Sequence, residues 1–366
     1  MPAKAWAVAS NRGGIGKSSL VSQLAPAIAI ANPTKAVLLL DCSIQGDASV
    51  FTCGGTAEPT TFAPNVRTLG AERMAAVPVQ RTALGFIQAA KDAYAAAAAP
   101  PSAVRSFWRG STVSASSTTP TVAFDWTKHA VRVSDIHPAG GAPPNLFVSV
   151  GGRALYGLPF DGVSVALKAV FRAMSDDVIV LIDTDAELSE RGASLGALGA
   201  STFLAMVISA SWPDYLRSLE DPANSLFGAL DYLQREVPGF DSKIKLVVAN
   251  GVQKTRNAFT SMCGVNNVVP FTPMSLSLDA VSEIVTHLHG YAVDENNSIR
   301  RFFFNPDTTL ANPGAFIFDV FTAVPTMAEG VWQRTWNTGK ALVIKPWGDE
   351  PSQAAGTIVE TVALKF

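Results

Sequence analysis

A glycine-rich run near the start of the chain has the residue types needed to hold a polyphosphate. Residues 11–19 read Asn-Arg-Gly-Gly-Ile-Gly-Lys-Ser-Ser and follow the apolar stretch 5–9. The glycines allow the main chain to bend tightly, so that its N–H groups can approach an anion closely. Lys17 supplies a point charge for the β- and γ-phosphates, and the hydroxyl of Ser18 suits Mg²⁺. The pattern predicts a strand, a phosphate-binding turn and the start of a helix.

The run departs from the general pattern G-x-x-x-x-G-K-[ST] because Asn11 replaces the first glycine and Arg12 follows it. It resembles the deviant Walker A motif of the ParA/MinD family, K-G-G-x-G-K-[ST]-[ST], with Arg12 in place of the first lysine. This resemblance implies that Arg12 reaches the nucleotide of a partner subunit, a task that suits its planar, always-charged fork. The alternative is a solvated loop residue. The nucleotide-binding residues implied by the motif are Asn11, Gly13, Gly14, Ile15, Gly16, Lys17, Ser18 and Ser19.

Two further apolar runs each end in an aspartate. Residues 36–40 lead to Asp41, and residues 178–182 lead to Asp183. Continuous apolar runs of this length are typical of buried parallel strands, and ligands bind where such strands end. An aspartate at a strand end is also explained as a turn former or a helix cap, so each residue alone is weak evidence.

Both runs also resemble ParA/MinD motifs. The segment from Asp41 to Asp47 is similar to D-x-D-P-Q-G-N, matching at Asp41, Gln45 and Gly46, and the run ending at Asp183 is similar to a Walker B strand. The resemblance implies that Asp41 and Asp183 hold hydrated Mg²⁺ together with Ser18. The catalytic residues that it implies are Arg12, Lys17, Asp41 and Gln45.

One departure concerns hydrolysis. The family's second acidic residue positions the attacking water, and Ser43 stands in its place. A hydroxyl is a poor base, and general-base contributions are commonly ~10²–10⁴ in rate. Asp41, Gln45 and Asp47 are the alternatives, and the sequence does not select among them. We therefore expect ATP binding more firmly than fast hydrolysis.

A weaker resemblance to the family is found near residue 250. Residues 247–250 resemble the strand whose terminal asparagine contacts adenine, so Asn250 is the adenine candidate, with a simple turn residue as the alternative.

Composition restricts the class of protein. The chain has 366 residues, with 28 Lys and Arg against 30 Asp and Glu, a net charge of −2 and three cysteines without metal-ligand spacing. The near-neutral net charge is unlike that of a nucleic-acid binder dominated by positive charge. The number and spacing of the cysteines favour neither structural zinc nor disulfides. No apolar run approaches the ~20 residues of a spanning helix, and the first strand leaves no room for a signal peptide. We therefore expect a cytoplasmic protein.

Strand and helix patterns alternate along the chain, which predicts an α/β fold with a doubly wound, mostly parallel sheet flanked by helices, and the family resemblance implies that this is a P-loop NTPase fold. The patterns predict a first helix over 18–31 that Pro26 kinks or shortens, strands at 178–182 and 203–209, and a helix around 83–99. We expect the ATPase domain to span 1–290. An insertion at about 54–144, rich in Ala, Ser, Thr, Gly and Pro, follows the second strand and lies at one edge of the domain. Residues 291–366 are interpreted as a C-terminal extension packed on the same domain.

The family resemblance implies an ATP-dependent dimerising switch ATPase that partitions or positions DNA or another cargo, with ATP and Mg²⁺, a homodimer in the ATP state and a ParB-like stimulating partner. The alternative is an ATP-binding dimeric scaffold or regulator with little or no hydrolysis, which Ser43 favours. An ATP-dependent ligase of the same superfamily is a third interpretation, but it lacks an identifiable substrate pocket.

The sequence does not decide whether such a switch acts on DNA or on a membrane. Non-specific DNA binding requires several lysine and arginine side chains on one face of the protein. The alternative is that the basic residues of this chain are ordinary solvated charges. A membrane is less favoured, because residues 357–366 carry one lysine and fit a last strand or core helix better than an amphipathic anchor. The candidate DNA cations are Lys243, Lys245, Lys254, Arg256, Arg300, Arg301, Lys340 and Lys345.

Overall fold

The computed structural model describes most of the first 252 residues and short pieces beyond them. The described residues are 2–10, 15–54, 64–99, 120–136, 142–159, 162–185, 188, 192–209, 215–216, 219, 225–252, 283–284, 286–288, 290–291, 294, 297–303, 321–325, 332–333 and 343–344. These residues form the sheet, the helices and the candidate site.

One eight-stranded sheet organises the chain, in the order β3-β4-β2-β5-β1-β6-β7-β8. Every pair of neighbours is parallel except β3 and β4. The strands are β1 (Lys4–Ala9), β2 (Ala36–Asp41), β3 (Val131–Arg132), β4 (Leu146–Ser149), β5 (Val178–Asp183), β6 (Phe203–Ser209), β7 (Lys243–Val252) and β8 (Phe321–Pro325). A separate antiparallel pair joins β9 (Trp332–Gln333) to β10 (Val343–Ile344).

The central strands are apolar along their length because both faces of a parallel sheet are covered. All six residues of β5 are buried, as are five of six in β1 and in β2. The chain runs from β1 outward through β2 and β4 on one side and continues from β1 through β6 and β7 on the other. Because crossovers between parallel strands are almost always right-handed, these two directions are expected to put the connecting helices on opposite faces, as in a doubly wound sheet.

Eight helices of the described residues connect and cover these strands. They are α1 (Lys17–Ala31), α2 (Asp47–Gly54), α3 (Pro64–Ala75), α4 (Ala83–Ala98), α5 (Val133–Ile136), α6 (Val163–Ala173), α7 (Ala193–Ala200) and α8 (Leu226–Glu236). Helix α1 packs on β1, β2 and β5, and α7 packs on β1, β5 and α6.

The first helix and the predicted insertion can be compared with the sequence expectations. Pro26 was expected to kink or shorten the first helix, yet α1 continues through it to Ala31. Residues 20–29 of that helix are all buried, so tertiary packing offsets the lost backbone hydrogen bond. From the predicted insertion, β3 pairs antiparallel with β4 and forms the edge of the sheet. The domain limits 1–290 and 291–366 remain a prediction.

Candidate functional site

Three adjacent strand ends build the site. Strand β5 lies between β2 and β1, so the turn before α1 and the residues Asp41 and Asp183 meet at the carboxyl edge of the sheet. Asp41 and Asp183 are register partners, and Val8 of β1 is paired with Asp183 on the other side. The Thr184 hydroxyl donates to the Val8 carbonyl at 2.9 Å, which fixes the end of β5 to the end of β1. Asp41 and Asp183 therefore lie side by side at the carboxyl edge of the sheet, next to the end of β1.

The start of α1 is arranged for an anion. Gly16 precedes the helix with φ of 78° and ψ of 26°, a left-handed conformation that glycine adopts without strain, and no side chain caps the helix. The first N–H groups of a helix lack intrahelical acceptors and attract negative charge. Lys17 is buried at this position, and burial lowers its pKa while Asp183 and Asp185 oppose that shift.

Asp41 is held by a dense set of hydrogen bonds. Its Oδ1 accepts from the Ser43 N–H at 3.0 Å, and its Oδ2 accepts from the Ser49 N–H at 2.8 Å and from the Ser49 hydroxyl at 2.6 Å. Because Ser49 lies in the first turn of α2, the carboxylate satisfies the start of that helix. Burial raises the pKa of Asp41 to about 6, against the effect of these donors. The capping interpretation thus holds for Asp41, whatever further role it has.

The loop after β4 closes tightly over this carboxylate. The Gly151 N–H donates to the Ser49 hydroxyl oxygen at 3.0 Å, and the Gly152 N–H donates to the Ser43 carbonyl at 3.0 Å. A Cβ added at Gly151 would lie 2.5 Å from the Asp41 Cγ. Glycine is therefore required here by close approach, and the motif comparison did not find Gly151 or Ser49.

The Asp183 carboxylate lacks the hydrogen bonds that hold the Asp41 carboxylate. It is fully buried, and neither carboxylate oxygen has a hydrogen-bond partner of ordinary geometry among the described residues. Burial and the neighbouring Asp41 raise its pKa well above the ordinary value, while the Ser18 hydroxyl and Lys17 act in the other direction. A buried carboxylate without compensation is costly, so this group calls for a cation.

These residues fit Mg²⁺ as it is bound beside nucleotide phosphates. Within the described part of the chain, no group of three or more His, Cys, Asp or Glu residues forms a protein cage for a metal. Mg²⁺ usually keeps several waters and takes only one or two carboxylates in addition to phosphate oxygens. The orphaned Asp183 oxygens beside Ser18 are suited to this role, whereas the Asp41 oxygens already accept three hydrogen bonds.

The turn after β2 uses the Ser43 hydroxyl for its own geometry. The Gly46 N–H donates to the Ser43 Oγ at 3.0 Å, and Ser43 is buried. Gly46 has φ of 65°, which explains the glycine at this position. Gln45 is exposed and Asp47 is half-buried in the first turn of α2.

A residue that the motif comparison left out of the site is Asp185. Its Oδ1 accepts from the Ile44 N–H at 2.9 Å, and its own N–H donates to the Ser194 Oγ at 2.9 Å. It also contributes to the pKa shifts of Lys17, Asp41, Asp183 and Cys42. Asp185 stands two residues after the apolar run that ends at Asp183, and its acidic side chain is the only signal in the sequence that could have indicated this role.

Several predicted site residues lie wholly or partly outside the described structure. Asn11, Arg12, Gly13 and Gly14 are not among the described residues. Ser19 and Asn250 are described only in their backbone, in α1 and β7 respectively, while Ile15 and Gly16 are half-buried before α1. The assignments of all these residues, and the catalytic set as a whole, remain predictions.

The described basic residues near β7 are engaged in local contacts. Lys243 donates to the Arg301 carbonyl, and Arg301 pairs with Asp231. The Lys245 Nζ lies 4.6 Å from the centre of the Phe203 ring and 5.5 Å from that of Trp6. Lys243 and Lys245 begin β7, at the amino edge of the sheet, opposite the carboxyl edge that carries Asp41. Lys254, Arg256, Lys340 and Lys345 lie outside the described residues.

Among the described residues, no helix is both long and apolar enough to cross a bilayer.

Comparison with known proteins gives matches among solved structures only. No protein-family model matches the chain, and no curated protein matches it. A plasmid partition protein from Borrelia burgdorferi is 11% identical over 100% of both chains, with a TM-score of 0.47. The pNOB8 ParA bound to nonspecific DNA is 11% identical over 99% of this chain and 97% of that one, with a TM-score of 0.48. A Cyanothece McdA–ATP complex is 17% identical over 78% of each chain, with a TM-score of 0.41.

At such low identities and TM-scores, these likenesses do not extend to individual residues or to function. The fold follows from the chain itself, because the parallel strand order places Lys17 and the two aspartates at three adjacent strand ends. The chain has a doubly wound, mostly parallel α/β fold, as the sequence predicts, and its motifs resemble those of the ParA/MinD ATPases.

Proposed function

We propose that the chain is an ATP-dependent dimerising switch ATPase of the ParA/MinD type, which partitions or positions DNA or another cargo. The observation that carries this proposal is the Asp183 carboxylate at the end of β5, which is fully buried, has no hydrogen-bond partner of ordinary geometry among the described residues, and lies near Ser18 and Lys17. The Mg²⁺ ion that accompanies a bound triphosphate would supply positive charge to this carboxylate. The uncapped start of α1 would receive the phosphates.

Phosphoryl transfer to water needs positioning and charge neutralisation more than covalent chemistry from the protein. Bound Mg²⁺ would neutralise charge that develops on the phosphate oxygens. Lys17 would contact the β- and γ-phosphates, and Ser18 and Asp183 would orient the hydrated ion. Contacts to the γ-phosphate exist only in the ATP state, so they would shift the population toward the conformation that makes them.

Only the glycine-rich motif that contains Arg12 supports dimerisation. Arg12 would bridge to the partner's nucleotide, as the family resemblance implies, and ATP binding and dimerisation would then be one event. Size-exclusion chromatography with light scattering in Mg²⁺–ATP and in Mg²⁺–ADP tests this point. We expect a dimer in ATP only, and a monomer for Arg12→Ala in both. Normal dimerisation of Arg12→Ala would remove that residue from the interface.

A second candidate function is a dimeric ATP-binding scaffold with little hydrolysis. Ser43 favours it, because its hydroxyl is buried, accepts from the Gly46 N–H and is a poor base. Steady-state ATP turnover, measured alone, with duplex DNA and with anionic liposomes, separates the two candidates. Turnover raised by DNA supports the partition function, whereas nucleotide binding without turnover under every condition supports the scaffold.

DNA is proposed as one surface for the switch, and the contacts at β7 limit how it would bind. Lys243 and Arg301 are engaged with neighbouring residues, so a stripe made of these two would first have to break those contacts. Binding by charge must weaken steeply with salt. DNA affinity that is independent of salt would therefore contradict this part of the proposal.

A further inference from the structure

The turn after β2 offers no carboxylate to a water molecule at the site. The Ser43 hydroxyl accepts from the Gly46 N–H, and both Asp41 oxygens accept from Ser43 and Ser49 inside the protein. Asp41 is fully buried. Hydrolysis, if it takes place here, needs its negative charge from another element.

That charge is present at the end of the neighbouring strand. Asp185 follows β5 by two residues and is half-buried, so its carboxylate is less enclosed than those of Asp41 and Asp183. Its Oδ1 accepts from the N–H of Ile44, the residue next to Ser43. The carboxylate thus reaches across from the end of β5 to the turn where a second acidic residue is missing.

A small network holds Asp185 in this position. The Asp185 N–H donates to the Ser194 Oγ at 2.9 Å, and the Ser194 hydroxyl donates to the Cys42 carbonyl at 2.8 Å, with the Asp185 Oδ2 also 3.2 Å away. Ser194 lies in the first turn of α7. The turn after β2, the end of β5 and the start of α7 are therefore joined through one side chain.

The charge of Asp185 acts on the phosphate-binding lysine. Asp185 opposes the lowering of the Lys17 pKa that burial causes, second only to Asp183 among the opposing groups. The negative charge of Asp185 also contributes to the raised pKa values of Asp41 and Asp183. Asp185 therefore lies within electrostatic range of the groups that would surround a triphosphate.

We propose that Asp185 is a positioning residue for nucleotide hydrolysis, which supplies from the end of β5 the negative charge that Ser43 lacks and orders the turn beside the attacking water. This inference rests on the proposed ATPase function. It assigns the task to none of the three alternatives that the sequence offered, namely Asp41, Gln45 and Asp47.

The test compares Asp185→Asn with Asp185→Glu and Asp47→Asn in full-length protein. Asparagine keeps an acceptor for the Ile44 N–H and loses the charge together with the longer contact, 3.2 Å, between the Asp185 Oδ2 and the Ser194 hydroxyl, so the turn should stay folded. We expect kcat for ATP to fall ~10²–10⁴-fold in Asp185→Asn, as for lost proton-transfer or water-orienting groups, with KM little changed. Asp185→Glu should recover part of the rate, and Asp47→Asn should stay near the parent rate.

Relocating the charge separates a charge effect from a merely structural one. Ser43→Asp introduced into Asp185→Asn should restore turnover, since a carboxylate then returns to the turn after β2. Unchanged kcat in Asp185→Asn overturns the inference, as does a loss confined to Asp47→Asn, failure of both rescues, or absence of turnover in the unaltered chain. Calorimetric ATP binding is measured on each protein. Lack of binding by the unaltered chain defeats the proposed function itself, whereas normal binding with unaffected turnover in Asp185→Asn defeats only this inference.

Discussion

Asp41 and Asp183 are directly paired across β2 and β5, yet only one of them is satisfied by the protein. Asp41 accepts three hydrogen bonds from Ser43 and Ser49, while the oxygens of Asp183 have no partner of ordinary geometry among the described residues. Two identical side chains at one register position therefore have different tasks. Asp41 orders the turn and the start of α2, and Asp183 is the group that gains from a cation.

Asp183→Asn tests this division. Replacing a buried carboxylate that has no hydrogen-bond partner of ordinary geometry among the described residues by a neutral amide should leave the unfolding temperature of the nucleotide-free protein unchanged or raise it. Mg²⁺–ATP should stabilise the parent by about 2.7 kcal/mol at a hundredfold excess over Kd, and should stabilise the variant far less. Thermal unfolding with and without Mg²⁺–ATP measures both effects. A large loss of stability without nucleotide would contradict the assignment.

Ser49→Ala removes the hydroxyl that donates to Asp41 and accepts from Gly151. Leaving buried polar partners unsatisfied costs about 1–3 kcal/mol in the free energy of unfolding. Ser164→Ala in α6 is the matched control, because the Ser164 hydroxyl is buried without a hydrogen-bond partner among the described residues. Urea denaturation should show a clear loss for Ser49→Ala and little or none for Ser164→Ala. Equal losses would argue against the Asp41 network.

Gly151→Ala tests the close approach of the loop after β4. The new Cβ would lie 2.6 Å from the Asp41 Oδ1 and 2.6 Å from its carbonyl oxygen, so the loop or Asp41 must shift. Overpacking of this kind costs about 1–3 kcal/mol, and we expect weaker nucleotide binding as well. Gly290→Ala serves as the control, since a Cβ there meets no atom within 4 Å. Wild-type stability of Gly151→Ala would refute the packing described here.

Asn145→Ala addresses the support of α1 and β2 rather than the site itself. The Asn145 side-chain N–H₂ group lies 2.9, 3.0 and 2.8 Å from the carbonyls of Ala29, Asn32 and Lys35, which close the end of α1. Losing it should lower the free energy of unfolding by about 1–3 kcal/mol. Asn32→Ala removes a single side-chain hydrogen bond, to Ile28, and should cost less. Chemical denaturation of both variants gives the comparison, and the reverse order would contradict it.

Much of this architecture could be predicted because its signals are local. The run Val178–Ile182 is apolar throughout and ends in Asp183, and the observed β5 differs from the predicted strand only by including that aspartate. Phe203–Ser209 was predicted with the bounds that the structure gives. The helix predicted at 83–99 is observed as α4, Ala83–Ala98, with Thr82 capping its start.

What the sequence did not reveal depends on contacts between distant segments. Asp185 meets Ile44 across 141 positions of the chain, and Gly151 meets Ser49 across 102. No periodicity or motif spacing encodes such pairs, since they arise only once β4, β2 and β5 lie side by side. Ser43 is a similar case, because a serine at this place could face water or close a turn, and the position of Gly46 decides between them.

Calorimetric titration of ATP in the presence of Mg²⁺, on the unaltered chain and on Lys17→Ala, tests the central claim most directly. We expect saturable binding that weakens on removal of Mg²⁺ by a chelator and is lost or greatly reduced in Lys17→Ala, whose fold is verified by its unfolding temperature. Absence of nucleotide uptake by the unaltered chain, or equal uptake by a folded Lys17→Ala protein, would contradict the account.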